Sequence, residues 1–245
     1  SLPVGFAAPG MAIFNGYIYS VGGFTASGMI TNVYYAAPSL ADGSIASWSS
    51  QDLTTIGLAE DVSYSYSFAR ANPLGAGSVP GNLYILGGCI NATGIGCPSN
   101  STGYTPDVYK CNISTAGVPS SCTTTGQMQI GTVPGASAAG LGAMAGTVYA
   151  NYIYLMGGLT FGATDLKTTR YAKIDDSNNI VNVSTGTTSG GWIESINETF
   201  YGRRRGSGFG YNGYLYVVGG YDGSSGGGGV LADIEFAKIN VSDGS

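Results

Sequence analysis

The residue types able to do chemistry are few here, and what is missing decides most. The 245-residue chain contains no histidine, against 9 Lys+Arg and 14 Asp+Glu. Without imidazole there is no Ser-His-Asp or Cys-His couple, no His-ligated zinc or copper, and no imidazole acid/base at neutral pH. Glycoside hydrolysis needs two carboxylates at a set separation, and the acids here form no recognisable motif. One dense positive cluster stands out, Arg203-Arg204-Arg205. A guanidinium matches a carboxylate bidentately, so the triplet could clamp an anion or an acidic sugar. The competing expectation is structural ion pairing with carboxylates such as Glu60 or Asp61. Strand alternation would turn Arg203 and Arg205 one way and Arg204 the other. The Gly-rich stretch 219–229 has no Lys and leads toward another strand, which is not a phosphate cradle. Asp107, Asp222 and Asp233 lack calcium-loop spacing. The expectation is a non-enzyme with no cofactor and no metal.

Cys89, Cys97, Cys111 and Cys122 fall close together, with no C-x-x-C to suggest zinc. Their places along successive strands favour pairings 89–97 and 111–122, and disulfides imply an oxidising, extracytoplasmic setting. Six Asn-x-Ser/Thr sequons begin at Asn91, Asn100, Asn112, Asn182, Asn197 and Asn240, all at loops or strand ends where a glycan could attach. The net charge of −5 argues against nucleic acid. The uncharged stretch from Ala138 to Met156 could pass for a membrane helix, but its Gly and Tyr content reads better as two strands, so no membrane insertion is expected.

The elements that must position these residues come from a repeat. One phrase recurs four times: Tyr19–Gly23, Tyr84–Gly88, Tyr154–Gly158 and Tyr216–Gly220. Each closes on paired glycines, Gly22/Gly23, Gly87/Gly88, Gly157/Gly158 and Gly219/Gly220, spaced by 65, 70 and 62 residues. Asn-Gly steps between aromatics, as in Phe14-Asn15-Gly16-Tyr17 and Tyr211-Asn212-Gly213-Tyr214, are hairpin signals. Tyr149-Ala-Asn-Tyr152 aligns with them, and a second strand-like phrase follows each Gly-Gly, as in Asn32–Ala36 and Asp233–Ile239. An outer strand completes each unit; in the first it is sought at Asp42–Trp48, and in the third near Trp192.

This pattern resembles the kelch repeat of β-propellers, over almost the whole chain, and in particular the "DG-x-I-x-x-W" variety of secreted and surface prokaryotic proteins. The resemblance implies an all-β, four-bladed kelch-like propeller, each blade a four-stranded antiparallel sheet. It is read as one domain, with blades near 1–50, 51–124, 125–195 and 196–245. Kelch propellers generally have more blades than four, and the units here are long. A blade cannot bury both faces alone, so neighbours must stack around an axis. Kelch repeats often carry an Arg where Arg203–Arg205 fall, at the start of the innermost strand. Galactose oxidase holds copper on such a propeller with histidines, which are absent here. Tyr19, Tyr84, Tyr154 and Tyr216 recur in register as blade-packing residues, whereas Tyr64, Tyr66, Tyr104 and Tyr201 lie outside the phrase and could form sugar-stacking or subunit-contact surface.

Asp243-Gly244-Ser245 aligns with Asp42-Gly43-Ser44, so the fourth unit is expected to lack its outer strand and to present an edge open to strand addition. A longer protein cut in phase with its repeat, a strand from a neighbouring copy, or a local rearrangement would each account for that. The function expected is an extracellular or cell-surface structural subunit, self-assembling by edge-strand contacts. The alternative is an adhesin or lectin-like module that recognises glycans or a protein partner.

Overall fold

Aromatic–turn–aromatic phrases fold as tight hairpins, and each hairpin is the inner half of a blade. The computed structural model describes residues 1–73, 79–90, 103–128, 140–160, 165–181, 192–195, 197–223 and 229–245. Blade 1 holds β1 (Gly10–Phe14), β2 (Tyr17–Val21), the two-residue ribbon β3 (Phe24–Thr25) with β4 (Gly28–Met29), then β5 (Asn32–Ala36) and β6 (Ser49–Asp52). Blade 2 holds β7 (Tyr66–Ala71), β8 (Gly81–Leu86), β9 (Asp107–Ile113) and β10 (Pro119–Gln127). Blade 3 holds β11 (Ala145–Tyr149), β12 (Tyr152–Met156), β13 (Thr169–Ile174), β14 (Ile180–Val181) and β15 (Ile193–Glu194). Blade 4 holds β16 (Ser207–Tyr211), β17 (Tyr214–Val218), the ribbon β18 (Tyr221–Asp222) with β19 (Gly229–Val230), and β20 (Ile234–Lys238).

Sheet orders are β1-β2-β5-β6, β7-β8-β9-β10, β11-β12-β13-β14 with β15 also on β13, and β16-β17-β20, and every pairing is antiparallel. The chain is therefore all-β, a four-bladed propeller whose last blade lacks its outer strand among the described residues.

Phe14 faces Tyr17, Tyr149 faces Tyr152 and Tyr211 faces Tyr214 across two-residue turns. Both central residues have positive φ in each: 47° and 80°, 49° and 67°, 50° and 79°. That is the turn whose twist suits a hairpin, and it explains the Asn-Gly preference. Residues 145–156 of the stretch that could pass for a membrane helix are thus a hairpin, β11 to β12, and no helix of the described residues is long and apolar enough to cross a membrane.

One outer strand starts later than expected, and another, found beside Trp192 as expected, is divided. In blade 1 pairing begins at Ser49, beyond Trp48, because Asp42 caps a local turn by accepting the Ser44 N–H at 3.0 Å and Ser39 N–H reaches the Ser44 carbonyl at 2.7 Å. In blade 3 the outer position is divided: β14 covers Lys173 and Ile174, and β15 covers Arg170 and Tyr171. Trp192, just ahead of β15, is buried.

Alternation along the strands gives each blade a forward face toward the next blade and a rear face toward the previous one. Tyr19, Val21 and Val33 of blade 1 meet Leu83, Ile85 and Cys111 of blade 2. Phe68, Tyr84 and Leu86 meet Ile153, Leu155 and Ala172 of blade 3. Tyr154, Met156 and Tyr171 meet Leu215, Val217 and Ile239 of blade 4. Stacked blades, not single sheets, bury the core.

Candidate functional site

The loop entering each innermost strand carries one residue in the left-handed region two positions before the strand: Ala8, Tyr64, Ala143 and Arg205, with φ of 54°, 55°, 57° and 58°. Such a conformation costs a side-chain-bearing residue about 1–2 kcal/mol, so something must hold it. What holds it is a ladder. Tyr64 N–H donates to the Ala8 carbonyl (2.8 Å), Ala143 N–H to Tyr64 (2.9 Å) and Arg205 N–H to Ala143 (2.7 Å).

The arginine cluster sits on this ladder, in the loop ahead of β16, and its members go to three different blades. Arg203 is 1% exposed and turns into its own blade, donating to the Gly219 carbonyl (2.9 Å) and the Asp233 carboxylate (3.0 Å), and pairing with Glu235. Arg204 pairs with the buried Asp165 of blade 3 at 3.1 Å and lies over the Tyr221 ring at 4.7 Å. Asp165 also accepts the Gly223 N–H. Arg205 is exposed, donates to the Tyr64 hydroxyl of blade 2 at 2.9 Å and stacks 5.0 Å over that ring.

Ion pairing therefore takes two of the three arginines, through Asp233, Glu235 and Asp165 and not through Glu60 or Asp61. Burial, followed by the neighbouring Asp107 and Asp52 charges, raises the pKa values of Glu60 and Asp61 instead. Of the three, Arg205 alone has no carboxylate of a described residue within ion-pair distance. It lines a shallow depression with Ala8, Tyr64, Ala143 and Met144. Tyr104 lies close enough to feel the charges of Arg204 and Arg205, though burial dominates and raises its pKa.

The paired glycines hold the blades to one another. A Cβ on Gly22, Gly87 or Gly157 would collide with the carbonyl oxygen of Val62, Leu141 or Arg203 on the next blade. The second glycine donates its N–H to that same oxygen: Gly23 to Val62 (2.9 Å), Gly88 to Leu141 (2.8 Å) and Gly158 to Arg203 (2.7 Å). The recurrent tyrosine then reaches the outer turn of the next blade. Tyr19 donates to the Gly117 carbonyl (3.0 Å), Tyr84 to Asn178 (2.5 Å) and Tyr154 to Gly244 (3.0 Å). Burial raises the pKa of all three, keeping them neutral donors.

The fourth unit keeps the residues without the contacts. A Cβ on Gly219 meets only the Leu231 carbonyl of its own blade, at 3.3 Å. Among the described residues Gly220 N–H and the Tyr216 hydroxyl reach no other blade, and Tyr216 is only half-buried. On the forward face of blade 4, Phe209, Tyr211, Ile234 and Phe236 are exposed.

Among the described residues the outer edge of blade 4 is open as well. Gly219 N–H donates to the Asp233 carbonyl and Ile239 N–H to the Gly213 carbonyl, which fixes the ladder phase. Odd-numbered residues of β20 thus bond to β17, and the backbone groups of Ile234, Phe236 and Lys238 point outward. Beside this edge lies an apolar groove formed with blade 3, lined by Tyr154, Met156, Tyr171, Val217, Phe236 and Ser245.

Cys111 and Cys122 form a disulfide that links β9 to β10. Cys89 is disulfide-bonded, and Cys97, its expected partner, lies outside the described residues, as do Asn91, Asn100 and Asn182. Asn197 and Asn240 are exposed, and Asn240 accepts from Ser242 within its own sequon at 2.8 Å. Asn112 is half-buried in β9, where its side-chain oxygen accepts from Asn82 at 3.2 Å. Among the described residues no three His, Cys, Asp or Glu side chains converge on a metal site.

Sequence reasoning placed Tyr19, Tyr84 and Tyr154 in the packing but missed their hydroxyl bonds to the next blade. The signal was the turn residue facing each one: Gly117, Asn178 and Gly244 all have positive φ. No family model and no curated protein matches the chain.

Proposed function

We propose that the chain is a kelch-type propeller serving as a non-enzymatic extracellular structural subunit, one that assembles with copies of itself at a cell surface or in a filament. The observation that carries this is β20: outward-pointing backbone groups on an edge strand, beside an apolar groove, are the template for strand addition. An extended segment of a second copy would supply both the missing hydrogen bonds and apolar side chains for the groove. The Cys111–Cys122 disulfide and the exposed sequons Asn197 and Asn240 support an oxidising, extracytoplasmic setting. With 9 Lys+Arg and 14 Asp+Glu in the whole chain, few like charges oppose close packing of copies. Light scattering with electron microscopy of the oxidised protein tests this. Regular assemblies are expected, and Lys238→Pro, which removes an outward N–H without touching the β17 ladder, should abolish them. A monodisperse monomer at every concentration would contradict the role.

A second reading, an acidic-glycan or protein-binding module, is favoured by Arg205 alone. Its guanidinium is exposed, pre-stacked on Tyr64 and free of a carboxylate among the described residues. Binding to an acidic-glycan panel that is lost in Arg205→Ala would support it, and no binding to the native protein would dismiss it.

A further inference from the structure

The three filled blade junctions define what the fourth blade needs. The acceptors Val62, Leu141 and Arg203 each stand four residues before the first strand of their blade. The corresponding position in blade 1 is Phe6. The turn that offers Gly244 to Tyr154 is held by Asn240 N–H to Ser245 (2.6 Å) and Gly244 N–H to Asn240 (2.7 Å). Blade 1 repeats it with Ser39 N–H to Ser44 (2.7 Å) and Gly43 N–H to Ser39 (2.8 Å). Blade 1 thus carries both acceptors that Gly220 N–H and the Tyr216 hydroxyl lack, namely the carbonyls of Phe6 and Gly43. It also carries Ala8, whose N–H would extend the inner-loop ladder to the Arg205 carbonyl.

The side chains agree. On the rear face of blade 1, Met11 and Ile13 are 51% and 73% exposed. In register they would meet Ser207 and Phe209, since Tyr66 of β7 faces Gly146 and Phe68 packs with Val148 at the second junction. There, one large residue meets one small one, and an aromatic meets a β-branched side chain. Ser207 against Met11 and Phe209 against Ile13 have the same character.

Resting on the assembly role above, we propose that the forward face of blade 4 docks on the rear face of blade 1 of a second copy, head to tail, and that two copies close an eight-bladed ring. Each junction joins unlike faces, and the two junctions, related by the two-fold axis of the ring, satisfy both open faces at once. Eight blades lie within the usual range of propellers. Gly220 N–H then donates to Phe6 of the second copy and the Tyr216 hydroxyl to its Gly43, while the β20 edge remains free for strand addition.

Size-exclusion chromatography with light scattering on the oxidised 245-residue chain tests this, on the Lys238→Pro background so that strand addition at β20 is removed. The expected mass is twice the 24.8 kDa of the chain. On that background Ile13→Asp and Phe236→Asp change residues 73% and 69% exposed, so each should remain folded by circular dichroism yet run as a monomer. Mixed in equal amounts they should recover a two-copy species, because each retains the face the other lost. A monomeric Lys238→Pro protein beside a native protein that assembles would overturn the face contact and leave the structural-subunit role standing, as would a two-copy species that survives both Asp changes. A native protein that is monomeric throughout would overturn both. Larger Lys238→Pro assemblies that either Asp change abolishes would overturn closure at two copies.

Discussion

The junction between blades 2 and 3 and the forward face of blade 4 carry the same motif with opposite outcomes. At the first, Gly87 accommodates the Leu141 carbonyl, Gly88 donates to it, and Tyr84 is fully buried with its hydroxyl on Asn178. At the second, Gly219, Gly220 and Tyr216 stand in the same register, and among the described residues none reaches a neighbouring blade. The repeat therefore encodes junctions as well as blades. A motif whose purpose is to grip the next blade is informative where that blade is not in place. The arginines repeat the lesson: Arg203 serves the third junction through its carbonyl and is sealed by two carboxylates, whereas Arg205 faces outward on Tyr64.

The largest contrast should come from the glycines. Gly87→Ala adds the cost of a left-handed alanine to a collision with a backbone carbonyl, and a loss of about 4 kcal/mol or outright failure to fold is expected. Gly219→Ala in dilute protein should cost only about 1 kcal/mol, from the backbone alone. Urea unfolding of both variants measures the difference, and equal losses would mean that the fourth junction is filled within one chain.

Next is the buried arginine. Arg203→Ala leaves Asp233 and Glu235 facing each other unpaired, for an expected loss of about 3–5 kcal/mol. Arg205→Ala should cost under about 1 kcal/mol, the worth of an exposed cation–π contact. Thermal unfolding would show the two apart.

A smaller effect is expected at the tyrosines. Tyr84→Phe strands the Asn178 carbonyl and should cost about 1–2 kcal/mol, while Tyr216→Phe should be neutral in dilute solution. The same substitution should weaken the two-copy species in concentrated protein, which sedimentation would detect.

The smallest effect is in pH. Burial raises the folded-state pKa of Asp61 above the ordinary aspartate value of 3.8 and also raises that of Glu60. In the window between the unfolded and folded pKa values the native state binds more protons than the unfolded one. Stability from these groups is therefore full below the window and falls as pH rises through it. Asp61→Asn should gain at most about 0.5 kcal/mol at pH 7, because solvent screens the partly exposed group, and nothing at pH 3. A loss at pH 7 would show that Asp61 is held by a favourable partner.

Much of the fold was legible because its signals are local. Asn15-Gly16 and Asn212-Gly213 mark turns, and the Tyr-x-x-Gly-Gly phrase marks the second strand of every blade. That Asp243-Gly244 forms the same turn as Asp42-Gly43 was legible from their alignment. The partners of Arg203 and Arg204 were not, since Asp233, Glu235 and Asp165 come from distant stretches and only packing brings them in. Carbonyl acceptors such as Val62 and Leu141 were hidden for a different reason: a backbone oxygen leaves no residue type behind. The divided outer strand of blade 3 was hidden too, because β14 and β15 are only two residues long each.

Amide hydrogen exchange resolved at four positions tests the central claim most directly: Gly23, Gly88, Gly158 and Gly220. In dilute oxidised protein the first three N–H groups should be protected and Gly220 should exchange rapidly, becoming protected as concentration rises. Protection of Gly220 equal to that of the others in a dilute monomer would contradict the account, because the fourth junction would then be closed within a single chain.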